Sequence, residues 1–327
     1  MAGILVIGEV HDGHLAPPTR EALAMGRSLA ATSGASVAVA LIGSELGASA
    51  QEAIAAGADQ AYTVADALLA QPQIDLYLAA HQAVCAAATP DIVLLSRTDF
   101  GRELAPRLAC RLGVSLLQDC LQLETEAASG RLIATRPVYG GNVLAKMRSA
   151  GTPQVAALRP KVRDPLEPDA SRQGEVTPVA VALDAAMAKV TIVRQEIRAG
   201  DGVKLEDASI VVAGGRGLGG PAPFTELEEL AGLLGAGIGA SRAAVDAGWV
   251  PANWQIGLTG RTVTPDLYLT VGISGASQHM AGCSNAKVIV AINKDREANI
   301  FRESRYGVVG DWETVLPGLI QGIRDLK

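Results

Sequence analysis

Leu267-Tyr268-Leu269-Thr270-Val271 runs straight into Gly272-Ile273-Ser274-Gly275-Ala276-Ser277-Gln278-His279. The first five residues are an apolar run of strand length. The next eight hold two glycines, two serines, an amide and an imidazole at a strand-to-helix corner. The same order recurs outward. Residues 209–213 form a strand run before Gly214-Gly215-Arg216-Gly217-Leu218-Gly219-Gly220, and residues 287–292 precede Asn293, Lys294 and Asp295. Residues 307–309 precede Gly310, Asp311 and a helical pattern carrying Val315, Leu319 and Ile323. In an open parallel sheet such strand ends share one edge, and ligands bind in the crevice along it.

The first half repeats the alternation of strand and helix. Residues 4–7, 36–41 and 91–95 are compact apolar runs that predict buried strands. Leu104, Leu108 and Leu112 predict a helix stopped by Gly113, with Pro106 tolerable in its first turn. Beyond about residue 115 the helices fade, and residues 132–135, 154–158 and 189–196 read as strands closing the domain. Residues 164–177, rich in proline and charge, read as a surface excursion. Arg198-Ala199-Gly200-Asp201-Gly202 reads as a flexible break. The fold class is therefore α/β, in two Rossmann-like domains of mostly parallel sheet with flanking helices, spanning residues 1–200 and 201–327.

Composition narrows the function. Hydrophobic residues make up 49% and aromatics only 3%, which suits helices packed on a parallel sheet of branched strands. A formal charge of -6 argues against nucleic acid, which rewards a basic face. No apolar run approaches a membrane span, and the start, Ile4-Leu5-Val6-Ile7, reads as a first strand rather than a signal or transit peptide. The expectation is a cytoplasmic, bacterial protein. Cys85, Cys110, Cys120 and Cys283 show no C-x-x-C spacing, which excludes the usual iron–sulfur and zinc patterns. Electrons, if carried, need an organic cofactor.

Each motif has a plain reading beside a functional one. Gly215, Gly217 and Gly220 fit G-x-G-x-x-G, a phosphate cradle or a tight turn, but the acidic ribose reader about 20 residues on is absent. Ser274 to His279 offers cofactor contacts, or a helix start capped by Ser274 or Ser277. Ser241 sits in Gly239-Ala240-Ser241-Arg242-Ala243, where Ala243 breaks the nucleophile-elbow pattern. His11-Asp12-Gly13-His14 lacks third and fourth metal ligands and reads as a solvated turn, so no metal site is expected. Arg216 and Arg242, in glycine-rich surroundings, are either surface ion-pair partners or cations facing phosphate or an electron-rich ring.

From Gly239 to Asp311 the chain closely resembles the electron transfer flavoprotein alpha-subunit family. The resemblance rests on residues 267–279, Gly282, Val290-Ala291-Ile292-Asn293, residues 239–248 and Gln255-Ile256-Gly257-Leu258-Thr259-Gly260. It extends more loosely to Phe100-Gly101-Arg102-Glu103-Leu104 and Tyr139-Gly140-Gly141-Asn142. It implies FAD bound by the second domain and AMP in a partner beta subunit. Arg216 is then expected near phosphate or the ring edge. Ser241 and Arg242 would flank the flavin, with Gln255, Ile256, Gly257 and Leu258 leading to Thr259 near N5. His279 is expected at the pyrimidine carbonyl. Ser274, Gly275, Ala276, Ser277 and Gln278 are expected along the ribityl and pyrophosphate region, and Asn293, Asp311 and Trp312 at the adenosine side. Arg242, His279 and Thr259 would tune the redox behaviour.

The resemblance also implies a heterodimer that carries single electrons rather than transforming a substrate. Its partners would be flavin-linked dehydrogenases and an electron transfer flavoprotein-quinone oxidoreductase, with the flavin domain on a hinge near Gly200. The alternatives are a nicotinamide dinucleotide-dependent oxidoreductase or transhydrogenase-like protein, and a colourless nucleotide-sensing regulator.

Overall fold

A computed structural model describes residues 3–126, 128–139, 143–190, 192–194, 205 and 208–326. The chain divides into two compact units, Met1–Gln195 and Glu196–Lys327.

The first unit opens with β1 (Ile4–Gly8), a hairpin of β2 (Val10–His11) and β3 (His14–Leu15), then α1 (Pro17–Ser33), β4 (Val37–Gly43), α2 (Ser49–Ala55), β5 (Gln60–Ala65), α3 (Ile74–Ala88), β6 (Ile92–Ser96) and α4 (Asp99–Arg111). It continues through β7 (Leu116–Cys120), β8 (Gln122–Thr125), β9 (Leu132–Val138), β10 (Val143–Arg148), β11 (Gln154–Leu158) and β12 (Glu175–Pro178). Seven strands form a sheet in the order β12-β5-β4-β1-β6-β11-β7, every pairing parallel. Strands β8, β9 and β10 form a separate antiparallel sheet.

The apolar runs are continuous because both sheet faces are covered. Ile4 and Val6 pack with Leu23 and Met25 of α1 on one face, while Leu5 and Ile7 pack with Leu76, Val84, Leu104 and Leu108 of α3 and α4 on the other.

Three expectations change. Pro106 lies inside α4, not in its first turn, because Thr98 caps the helix early by accepting from the Gly101 N–H at 2.9 Å. The side chain of Arg107 then donates to the Glu103 carbonyl at 2.8 Å beside the interruption. Residues 189–196 hold no strand among those described, and Val190 and Val193 stand 66% and 94% exposed. The edge strand is instead β12, at the end of the stretch read as a surface excursion. It pairs with β5, and Pro178 is tolerated there because an edge strand leaves one side unpaired. The break at residues 198–202, residues 195 and 196, and Gly140-Gly141-Asn142 lie outside the described residues.

The second unit comprises β13 (Ile210–Gly214), α5 (Phe224–Leu234), β14 (Gly237–Ser241), α6 (Arg242–Asp246), β15 (Gln255–Ile256), β16 (Leu267–Val271), α7 (Ser277–Met280), β17 (Val288–Asn293), α8 (Ile300–Glu303), β18 (Tyr306–Val309) and α9 (Trp312–Asp325). Its parallel sheet runs β15-β14-β13-β16-β17-β18. Strand order reverses direction between β13 and β16, which opens a crevice at their carboxyl ends. No described helix is long and apolar enough to cross a membrane.

Candidate functional site

A cleft of ≈ 750 Å³ opens at that crevice. Its floor is main chain. The Gly215 N–H donates to the Val271 carbonyl at 2.9 Å and the Gly217 N–H to the Gly272 carbonyl at 3.0 Å. A Cβ on Gly217 would stand 2.8 Å from the Gly272 oxygen, and one on Gly272, at φ +65, 2.9 Å from the Gly217 carbonyl carbon. Two loops therefore close against each other only as glycine. Helix α5 starts well beyond this loop, and Gly220 has open space around it, so Gly215 and Gly217 serve loop contact first. Arg216, between them, lines the cleft.

The wall after β16 continues through Gly275, at φ +78, which presses on the Ile300 backbone while the Ile300 N–H donates to the Ser274 carbonyl at 3.0 Å. Helix α7 is capped by Ala276, not by Ser274 or Ser277, and no side chain accepts at its start. The hydroxyl of Ser277 bonds Gln278 at 3.3 Å instead. Asn293, at the end of β17, donates from Nδ2 to the Ile273 carbonyl at 2.9 Å and accepts from the Asp295 N–H at 3.0 Å, stapling two strand ends. The opposite wall is the loop after β15. Its Leu258 N–H donates to the Gln278 carbonyl at 2.7 Å, and Gln255 Nε2 donates to Thr259 Oγ1 at 3.0 Å. That bond leaves the Thr259 hydroxyl hydrogen free to donate.

Arg216, Ser241, Arg242, Gln255, Ile256, Gly257, Leu258, Thr259, Ser274, Ala276, Gln278, His279 and Asn293 all line this one cleft. Gly275 and Ser277, in the same segment as Ser274 and Ala276, do not line it. Asp311 and Trp312 do not line it. The Asp311 carboxylate caps α9 by accepting from the Glu313 N–H at 3.2 Å, and Trp312 packs against the cluster of Leu316 and Ile320. Ser241 Oγ is a buried polar atom with no hydrogen-bond partner. Such an orphan in a cleft wall points to a ligand that completes it.

Known proteins resolve the family. A model described as the electron transfer flavoprotein domain matches residues 4–184, and one described as the electron transfer flavoprotein FAD-binding domain matches residues 204–284. The electron transfer flavoprotein subunit alpha of Bacillus subtilis (strain 168) is 41% identical over 326 residues, covering 99% of this chain and 98% of its own. The chain belongs to the electron transfer flavoprotein alpha-subunit family. The alpha subunit of Thermoanaerobacterium thermosaccharolyticum is 40% identical over 325 residues, covering 99% of this chain and 98% of its own. Protein FixB of Clostridium saccharobutylicum is 36% identical over 329 residues, covering 99% and 97%.

In this alpha-subunit chain the electrostatics of the cleft are mixed. Arg242 opens α6 and pairs with Asp246 at 3.1 Å, both well exposed, so solvent screens the pair. Asp246 and Asp295 line the cleft; the sequence places Asp295 at a strand end, but neither aspartate is among the expected cofactor positions. The i, i+4 spacing of Arg242 and Asp246 was the available signal. Tyr268 was also missed, because it reads as one more core residue of β16. Its hydroxyl lies 2.9 Å from His279 Nε2 in a fully buried contact. Burial pulls the His279 pKa down to about 4, opposed by the Ile256 backbone, so the ring is neutral at pH 7. The fully buried Tyr268 hydroxyl needs an acceptor, which Nε2 provides when the ring proton sits on Nδ1. Tyr268→Phe leaves Nε2 buried and unpaired. The expected cost is about 1–3 kcal/mol of stability, read as a lowered melting temperature. An unchanged melting temperature would show the bond to be dispensable.

His11-Asp12-Gly13-His14 forms the β2–β3 hairpin and its turn, with Asp12 and Gly13 at positive φ. No cluster of metal-ligating side chains occurs among the described residues. The four cysteines are free, three buried and Cys110 exposed.

Proposed function

We propose that this chain is the FAD-carrying alpha subunit of a heterodimeric electron transfer flavoprotein. In this reading it takes electrons singly from flavin-linked dehydrogenases and passes them to a quinone-reducing acceptor. The observation that carries it is the convergence on one cleft of all the expected cofactor positions except Gly275, Ser277, Asp311 and Trp312. The donor set fits FAD. Arg216 and Arg242 offer cationic hydrogen-bond donors for an anionic dinucleotide, the floor admits close approach, and Ser241 Oγ awaits a partner. When bound, FAD supplies a ring that takes up and releases electrons.

The residues of this chain do the rest. Arg216 holds phosphate or ring edge, Thr259 donates its hydroxyl hydrogen, and Arg242 places a positive charge where negative charge develops on reduction. Tyr268 orients His279, whose ring is kept neutral by burial. Residues 1–200 dock the beta subunit, which holds AMP, and residues 201–327 carry the flavin.

The test is stepwise anaerobic reduction of the chain purified with its partner, followed by visible absorption. A flavin spectrum at one FAD per heterodimer is expected. A colourless assembly that takes up no FAD would overturn the reading. Arg242→Ala is expected to lower the first reduction potential by roughly 50 mV, about 1 kcal/mol for a unit charge about 4 Å away screened as in bulk water, since Arg242 is well exposed. An unchanged potential would remove Arg242 from the redox role.

A further inference from the structure

The carboxyl ends of three neighbouring strands of the first unit, β6, β11 and β7, gather charge far from the flavin cleft residues in sequence. Arg97 follows β6, Arg159 follows β11, and Asp119 lies near the end of β7. Arg159 grips Asp119 through two bonds, Nε to Oδ1 at 2.9 Å and Nη2 to Oδ2 at 2.8 Å. Arg97 Nη1 approaches the same carboxylate at 3.6 Å. Arg136 comes in from β9, whose Thr135 carbonyl accepts from the Leu121 N–H at 2.8 Å.

The charges do not balance. Arg97 and Arg159 share the carboxylate of Asp119, while Arg136 and Arg102 add positive charge to the field around Arg97. Burial and the three neighbouring guanidinium groups push the Arg97 pKa below its ordinary value, with Asp119 opposing. The Nε atoms of Arg97 and Arg136 are buried and have no hydrogen-bond partner. Arg97 and Arg159 are only 25% and 13% exposed, so water screens them poorly. Asp119 itself holds φ +63, and the β7–β11 register shifts beside it. A bulge and a left-handed aspartate are a costly way to aim one carboxylate, and such strain concentrates at functional positions.

We propose that Arg97 and Arg159, held in place by Asp119, form with Arg136 a second binding site in the first unit that takes an oxyanion, a phosphate or a carboxylate. Planar guanidinium groups match both anions through paired N–H donors. The site lies off the β1–β6 switch point of that sheet, where a nucleotide would be expected.

The test uses the assembly as purified, with inorganic phosphate against chloride at equal ionic strength. It reads thermal unfolding and hydrogen-exchange protection of Leu116–Cys120 and Leu132–Val138. At tenfold its dissociation constant, phosphate is expected to raise the melting temperature by about 3–5 °C and to protect both segments. Arg136→Gln abolishes the effect and Arg136→Lys restores part of it, which assigns the site to a free anion. Alternatively, phosphate has no effect and Arg136→Gln weakens association with the co-purified subunit at least about tenfold. The oxyanion is then a carboxylate of that subunit. If phosphate acts no better than chloride and Arg136→Gln leaves association and stability unchanged, or raises stability, the proposal is overturned.

Discussion

Gly275→Ala is expected to lower the melting temperature of the C-terminal unit by about 10 °C. The residue holds φ +78, a region that costs an L-residue roughly 1–2 kcal/mol. An added Cβ would also lie inside contact distance of the Ile300 backbone nitrogen and Cα, and backbone cannot rotate aside. Displacing it strains the Ile300 N–H bond to the Ser274 carbonyl and adds roughly 1–3 kcal/mol. Together these reach about 3–4 kcal/mol, large for a unit of this size. Scanning calorimetry checks the value, with Gly318→Ala as internal control. Gly318 lies inside α9 with open space where its Cβ would go, so alanine there stabilises by about 0.5–1 kcal/mol. Equal melting temperatures for Gly275→Ala and the wild type would mean the loop does not rest on Ile300.

The second large effect lies in the first unit. Glu9 follows β1, where its carboxylate accepts from Thr98 Oγ1 at 2.5 Å and its backbone N–H donates to Thr19 Oγ1 at 2.8 Å. Burial raises its pKa to about 7 from an ordinary 4.5; the Thr98 bond opposes the shift and the Asp99 charge adds to it. A carboxyl whose folded pKa is raised contributes stability that is present below pH 4.5 and is lost as pH rises through about 7. The loss amounts to at most about 3 kcal/mol. Glu9→Gln keeps an acceptor for Thr98 and removes the titration. The variant is therefore expected to melt several degrees above the wild type at pH 8, with the difference shrinking toward pH 5. Glu52 and Asp59 have lowered pKa values and fade only in more acidic solution, while Glu21, whose pKa burial also raises, is present in both proteins and cancels in the difference. A pH-independent difference would assign the effect to packing rather than ionisation.

What the sequence made legible follows from how each feature encodes itself. Leu267–Val271 and Gln154–Leu158 coincide with β16 and β11 because buried parallel strands are unbroken apolar runs closed by turn residues. β5 and β12 escaped because edge or near-edge strands carry Gln60, Thr63, Glu175 and Thr177 in partly exposed positions. Most cleft-lining positions were readable, since glycines and hydroxyls after a strand mark a carboxyl edge wherever they occur. The bond between Tyr268 and His279 was not readable. It depends on how α7 folds back across β16, which no local spacing encodes. Asp311 is legible as a helix cap, and that is the work it does here.

The paired glycine loops beneath the cleft have a mechanical consequence. Side-chain walls adapt to a guest by changing rotamer, but peptide groups locked to one another have no rotamers to change. The contact of Gly215 and Gly217 with Val271 and Gly272 thus acts as a hard gauge. A guest lying against Gly217 and Gly272 meets main chain that cannot yield there, whereas the side chains lining the rest of the cleft can change rotamer.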